Sequence, residues 1–198
     1  MTERPRLQIA LIPVTALANA RTVLTPQQWR AVARRTYVQA KHRCEVCGAG
    51  GEMNCHEAWK FLDGEGVQRL EALLCLDRRC HHAVHLGNTR RRSGSDAVAS
   101  AALAHLAAMN HWSVPEAAAH ARRELLICRA RSQRSWRLDL SLLREYGIEL
   151  PGKEAITLGI RYARDMGSHV AGLEEFSPRP TGRTWWQRLL GSAYPGGF

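Results

Sequence analysis

The chain has 198 residues, with 28 Lys and Arg against 18 Asp and Glu, a net charge of +10 and a hydrophobic fraction of 45%. That length supports one compact domain with appendages, and no stretch has the length and apolar content of a membrane span. The excess is nearly all arginine, whose planar fork matches phosphate oxygens, so it favours a polyanion partner, nucleic acid first, over a bias of the coding sequence that inflates Arg and Ala together.

Residues 1–25 read as an N-terminal extended segment. The start imitates a secretory leader, with Arg4 and Arg6, an apolar run, then Ala18-Asn19-Ala20. Gln8, Pro13 and Thr15 interrupt the run. We therefore read residues 7–12 as a strand or extended segment and expect a cytoplasmic protein. Thr25-Pro26 opens a helix, a capping hydroxyl followed by proline in the first turn. Trp29, Val32, Ala33, Thr36, Tyr37 and Ala40 recur at helical spacing and lead the chain into Cys44. Residues 48–68 hold five glycines and an aromatic stretch at 59–61, a β-hairpin pattern. Residues 69–74 are a short strand or turn. Residues 80–86 start a helix that Gly87 should end, and 88–95 read as an arginine-rich linker. Residues 96–110 predict an Ala-rich helix. Ser113-Val114-Pro115-Glu116 is a capping box opening another helix, to about residue 131. The pair reads as a helical hairpin, with a helix-turn-helix as the rarer alternative. Residues 136–146 fit strand and helix equally. Residues 151–198 form a basic tail, partly disordered, with the apolar cluster Trp185-Trp186 as a candidate protein-docking anchor.

Six cysteines are present, and their spacing carries chemistry. Cys44 and Cys47 are separated by two residues, so both thiolates reach one ion from a tight knuckle, and Gly48 suits the turn that follows. With Cys75 and Cys80 as the second pair, four thiolates fit a tetrahedral Zn²⁺ site. Cys44, Cys47, Cys80 and His85 form an alternative set. Disulfides would need an oxidising compartment, and a redox C-x-x-C prefers a helix after it, whereas here the helix precedes it.

Four histidines lie in the same stretch: His56, His81, His82 and His85. His81 and His85 share a face at i, i+4 spacing. A strand histidine, His56, is placed to act as general base on the water that attacks phosphorus. His81 and His85 are placed to hold Mg²⁺ or another divalent metal that stabilises the leaving oxygen. The alternatives are that His81 and His82 cap the helix or touch phosphate. Basic residues flank this region: eight without an acid from residue 4 to 43, then Arg78, Arg79, Arg90, Arg91 and Arg92, then a third group at 122–137.

Three stretches together resemble the HNH endonuclease superfamily, most of all a set of bacterial HNH-like proteins. They are Cys44-Glu45-Val46-Cys47-Gly48, Asn54-Cys55-His56-Glu57-Ala58-Trp59, and Ala72-Leu73-Leu74-Cys75 on to Cys80-His81-His82-Ala83-Val84-His85-Leu86-Gly87. Trp29 and Tyr37 upstream and Trp136-Arg137-Leu138-Asp139 downstream extend the likeness over residues 10–146. The resemblance implies an α+β fold, a zinc-bound treble-clef or ββα-metal module surrounded by helices. It places the base at His56 and the catalytic metal at His81, with His85 a second ligand. Residues 26–92 would be this module with its leading helix, and 93–150 the helical hairpin and following segment. The chain departs from the pattern in three ways. Cys55 stands where an acidic ligand precedes the base, with Glu57 as a substitute. No asparagine lies between Trp59 and Cys75. The second cysteine pair is two residues longer. The implied function is a metal-dependent DNA endonuclease, with RNA a possible partner. The alternative is an inactive zinc-stabilised DNA-binding or protein-interaction subunit.

Overall fold

The computed structural model describes residues 6–16 and 18–150, and the chain is α+β. Strands β1, Met53–Leu62, and β2, Val67–Asp77, pair antiparallel, from Met53 opposite Asp77 to Leu62 opposite Val67. A third strand, β3, Arg137–Asp139, runs parallel to the start of β2, so the sheet order is β1-β2-β3. The hairpin is longer than the sequence reading gave. Residues 69–74 belong to its second strand, which continues to Asp77. Gly66 closes the turn at φ +63, a left-handed conformation that glycine adopts without steric cost. Its carbonyl accepts the Arg137 amide at 2.8 Å and so starts the β3 pairing.

Two helices precede the hairpin, α1, Ala20–Val23, and α2, Pro26–Gln39. The Thr25 hydroxyl accepts the Gln28 amide at 3.2 Å, and the Gln28 side chain accepts the Thr25 amide at 2.9 Å. That capping box fixes where α2 begins. Its Val32, Ala33 and Thr36 are buried against the second of two apolar clusters, with Leu24, Leu70, Leu73 and Leu143.

After β2 comes α3, Arg78–Val84, then α4, Leu86–Ser93. The expected helix end at Gly87 and linker at 88–95 are corrected here. The helix breaks at His85 (φ −96, ψ 39) and resumes through Gly87. Tertiary packing supplies what local propensity lacks. Leu86 is fully buried, Thr89 is nearly so, and the Thr89 hydroxyl donates to the His82 carbonyl at 2.9 Å. The α4 helix also packs against α5, Asp96–Met109. A four-residue connection then leads into α6, Val114–Arg131, which packs back on α5 as a helical hairpin. Residues 136–146 contain both expected patterns in succession, β3 and then a 3-10 turn, Ser141–Tyr146.

The segment at 7–12 forms no strand. The Asn110 side chain holds it by accepting the Leu7 amide at 3.0 Å and donating to the Leu7 carbonyl at 2.9 Å. The Ala10 amide donates to the Val84 carbonyl at 2.9 Å. Leu7 and Ile9 thereby join the first apolar cluster, with Leu76, Val84, Leu103 and Leu106.

Candidate metal centres

The chain leaves α2 through Lys41 and His42, both left-handed at φ +53 and +54, and turns into the knuckle at Cys44. There the Gly48 amide donates to the Cys44 carbonyl at 2.8 Å, and the Cys44 amide to the Ala49 carbonyl at 2.9 Å. Gly48 has φ +73, the conformation the spacing required. Glu45 docks the knuckle on β2, its amide donating to the Cys75 carbonyl at 3.0 Å and its carboxylate accepting the Cys75 amide at 2.6 Å.

The thiols of Cys44, Cys47 and Cys80 and the carboxylate of Asp77 all lie within 4.8 Å of one another, a donor set able to hold a metal ion. Cys75, the fourth thiolate of the expected set, is not a member of this group. It sits two residues back along β2, about 6.6 Å at the rise of a strand, and its backbone anchors Glu45. Asp77 stands in the group instead. Asp77 and Cys80 are separated by two residues, the same spacing as Cys44 and Cys47. The cue for Asp77 was its place as helix cap. Its carboxylate accepts the Cys80 amide at 3.0 Å and the Arg79 amide at 3.4 Å. Burial pushes the Asp77 carboxyl up, but these amides outweigh it and hold its pKa at about 2. Burial raises the thiols of Cys47 and Cys80. They are therefore protonated until a cation pulls the thiolates out.

His85 belongs elsewhere, which removes the alternative set that used it beside the cysteines. His56, His81 and His85 bring one ring nitrogen each within 4.8 Å of one another. His56 Nδ1 stands 3.2 Å from His85 Nε2, and the His81 and His85 rings are 4.7 Å apart, as i, i+4 spacing demands. The α3 helix packs on both strands of the hairpin and so faces β1, which carries His56. Burial, then the neighbouring imidazoles, lower His56 to about 3; burial, then His81, lower His85 to about 4. Burial lowers His81 as well. Three neutral imidazoles with available lone pairs suit a divalent ion.

A cleft of about 420 Å³ opens over this group, lined by His81, His82, His85, Asn54, Glu52, Arg78 and Arg92 among others. His56 is only 5% exposed and does not line it. Arg79 points to Asp77, with Nε 3.7 Å from the carboxylate. The side chains of Arg90 and Arg91 lie outside the described residues. Asn88 also lines the cleft; sequence reasoning missed it because it assigned 88–95 to a linker. Cys55 is buried apart from the histidines, its thiol 3.8 Å from the Thr36 hydroxyl and pushed up to about 11 by burial. Glu57 does not substitute for an acidic ligand either. Its carboxylate faces the start of α1, where the Arg21 and Ala20 amides contact it, and one oxygen has no hydrogen-bond partner among the described residues.

The chain matches no protein-family model, no curated protein and no solved structure.

Proposed function

We propose that the chain is an HNH-like nucleic-acid-binding protein that hydrolyses phosphodiester bonds in DNA, built on a zinc-stabilised treble-clef and ββα-metal module. One observation carries this reading. His56, His81 and His85 converge apart from the cysteine group, and His81 and His85 line a cleft that also carries Arg78 and Arg92. The cysteine-rich donors are soft and closed, as a structural Zn²⁺ requires. A Mg²⁺ or transition-metal ion on His81 and His85 would supply Lewis-acid stabilisation of charge on the phosphate and leaving oxygen. His56 would be the base that takes the proton of the attacking water. Arg78 and Arg92 hold the substrate backbone at the cleft.

Plasmid nicking tests this. Wild type nicks supercoiled DNA with added divalent metal and not in EDTA, and His56→Ala lowers the rate on the order of 100-fold or more. Nicking that survives His56→Ala would remove the base from the reading. The second reading, a binding module without catalysis, is favoured by the burial of His56 beneath the cleft. It predicts salt-sensitive DNA binding and no nicking. The Trp185-Trp186 anchor lies outside the described residues. Deleting residues 176–198 is expected to abolish any complex with a protein partner while leaving the zinc module folded.

A further inference from the structure

Helix α5 brings a fifth donor to the cysteine group. His105 Nε2 lies 3.1 Å from Cys80 Sγ, although His105 is 25 residues further along the chain and on a different helix. A thiolate and an imidazole bound to one tetrahedral zinc stand about 3.6 Å apart, from the usual Zn–S and Zn–N lengths. The Cys80–His105 distance is within about half an ångström of that edge. Cys47 Sγ to Asp77 Oδ1 is 3.6 Å and fits an edge equally well. His105 meets the group at Cys80, and its ring nitrogen is not within 4.8 Å of all four of the other donors.

Their other commitments separate Asp77 from His105. The Asp77 carboxylate already caps α3 through the Cys80 and Arg79 amides and faces the Arg79 guanidinium. Three cysteines and one histidine also make a closed structural set.

We propose that His105 is the fourth inner ligand of the ion held by Cys44, Cys47 and Cys80, and that Asp77 serves as the helix cap beside it. The ion then clamps α5, and with it the helical hairpin, to the knuckle that α2 delivers. This rests on the reading of the cysteine group as a metal centre.

The test loads the full-length, ¹⁵N-labelled protein with ¹¹³Cd²⁺ and records long-range ¹H–¹⁵N spectra with the His105 ring assigned. His105 Nε2 is expected to carry no proton and to be split by coupling to cadmium. The splitting should persist in Asp77→Asn, which keeps a capping oxygen. Zinc affinity of the cysteine site, by chelator competition, should fall more than 100-fold in His105→Gln and only a few-fold in Asp77→Asn. Cadmium retained on the thiolates with His105 Nε2 protonated and unsplit overturns the proposal and leaves the metal centre standing, with His105 only a hydrogen-bond donor to Cys80. A wild-type chain that retains no cadmium at the cysteines overturns both.

Discussion

Glu57 shows how one side chain sets a pH dependence. Burial raises its pKa to about 7 against an ordinary value of 4.5. The folded chain therefore holds a proton there that the unfolded chain has lost between those values. Its contribution is full below about pH 4.5 and is lost as pH rises through 7. Glu57→Gln keeps the size and removes the titration. The variant's melting temperature should match wild type near pH 4.5, exceed it increasingly up to about pH 7 and level off above that; parallel curves would contradict the assignment. The cysteines give a second residue-scale prediction. Burial keeps Cys47 and Cys80 protonated in the absence of a cation. Zinc uptake must therefore release protons, and apparent affinity must rise with pH. Calorimetry in buffers of different ionisation enthalpy measures that release directly, and no release would mean the thiols are not ligands.

Among the elements, those with their own punctuation were legible. The Thr25 and Ser113 boxes fixed the starts of α2 and α6, and the Ala-rich pattern located α5 within a residue of its end. Elements defined by contact were not. The α4 helix has a glycine near its start and a run of arginines, and what holds it is the burial of Leu86 with Leu103 and Leu106, far along the chain. The same holds at the site. The Cys44-Cys47 knuckle and the His81-His85 face follow from spacing. Asp77 required knowing that β2 runs two residues past Cys75 and ends in a helix cap. A search confined to cysteine could not find it. One side chain can be tested at this scale. Asn110→Ala leaves the buried Leu7 amide and carbonyl unpaired. It should destabilise the fold by about 2–3 kcal/mol, read in denaturant unfolding. A change within about 0.5 kcal/mol would mean that the segment at 7–12 is held by its apolar contacts alone.

Across the whole molecule, part of the arginine excess is structural. Arg131 pairs with Asp63 at 2.6 Å and lies over the Phe61 ring, Arg69 pairs with Asp139 at 2.8 Å, and Arg21 and Arg35 cover Trp29 and Tyr146. Composition counted these with the rest and could not separate scaffold from surface. Arg78 and Arg92 are different, since they line the histidine cleft. If that cleft holds a nucleic-acid backbone, Arg92→Ala weakens DNA binding across unrelated sequences and flattens the log–log salt slope by about one. An unchanged slope would move the contact surface elsewhere. The cysteine and histidine groups meet at α3, through Cys80 and His81 within it and His85 at its C-cap, yet use no residue in common.

That separation is the centre of the account, and metal content tests it most directly. The full-length protein, saturated with zinc, desalted and assayed by mass spectrometry of the metal, should carry two ions per chain. His81→Ala with His85→Ala should carry one and keep its far-ultraviolet circular dichroism. One ion in wild type, unaffected by that double substitution, would contradict a metal centre at the histidines.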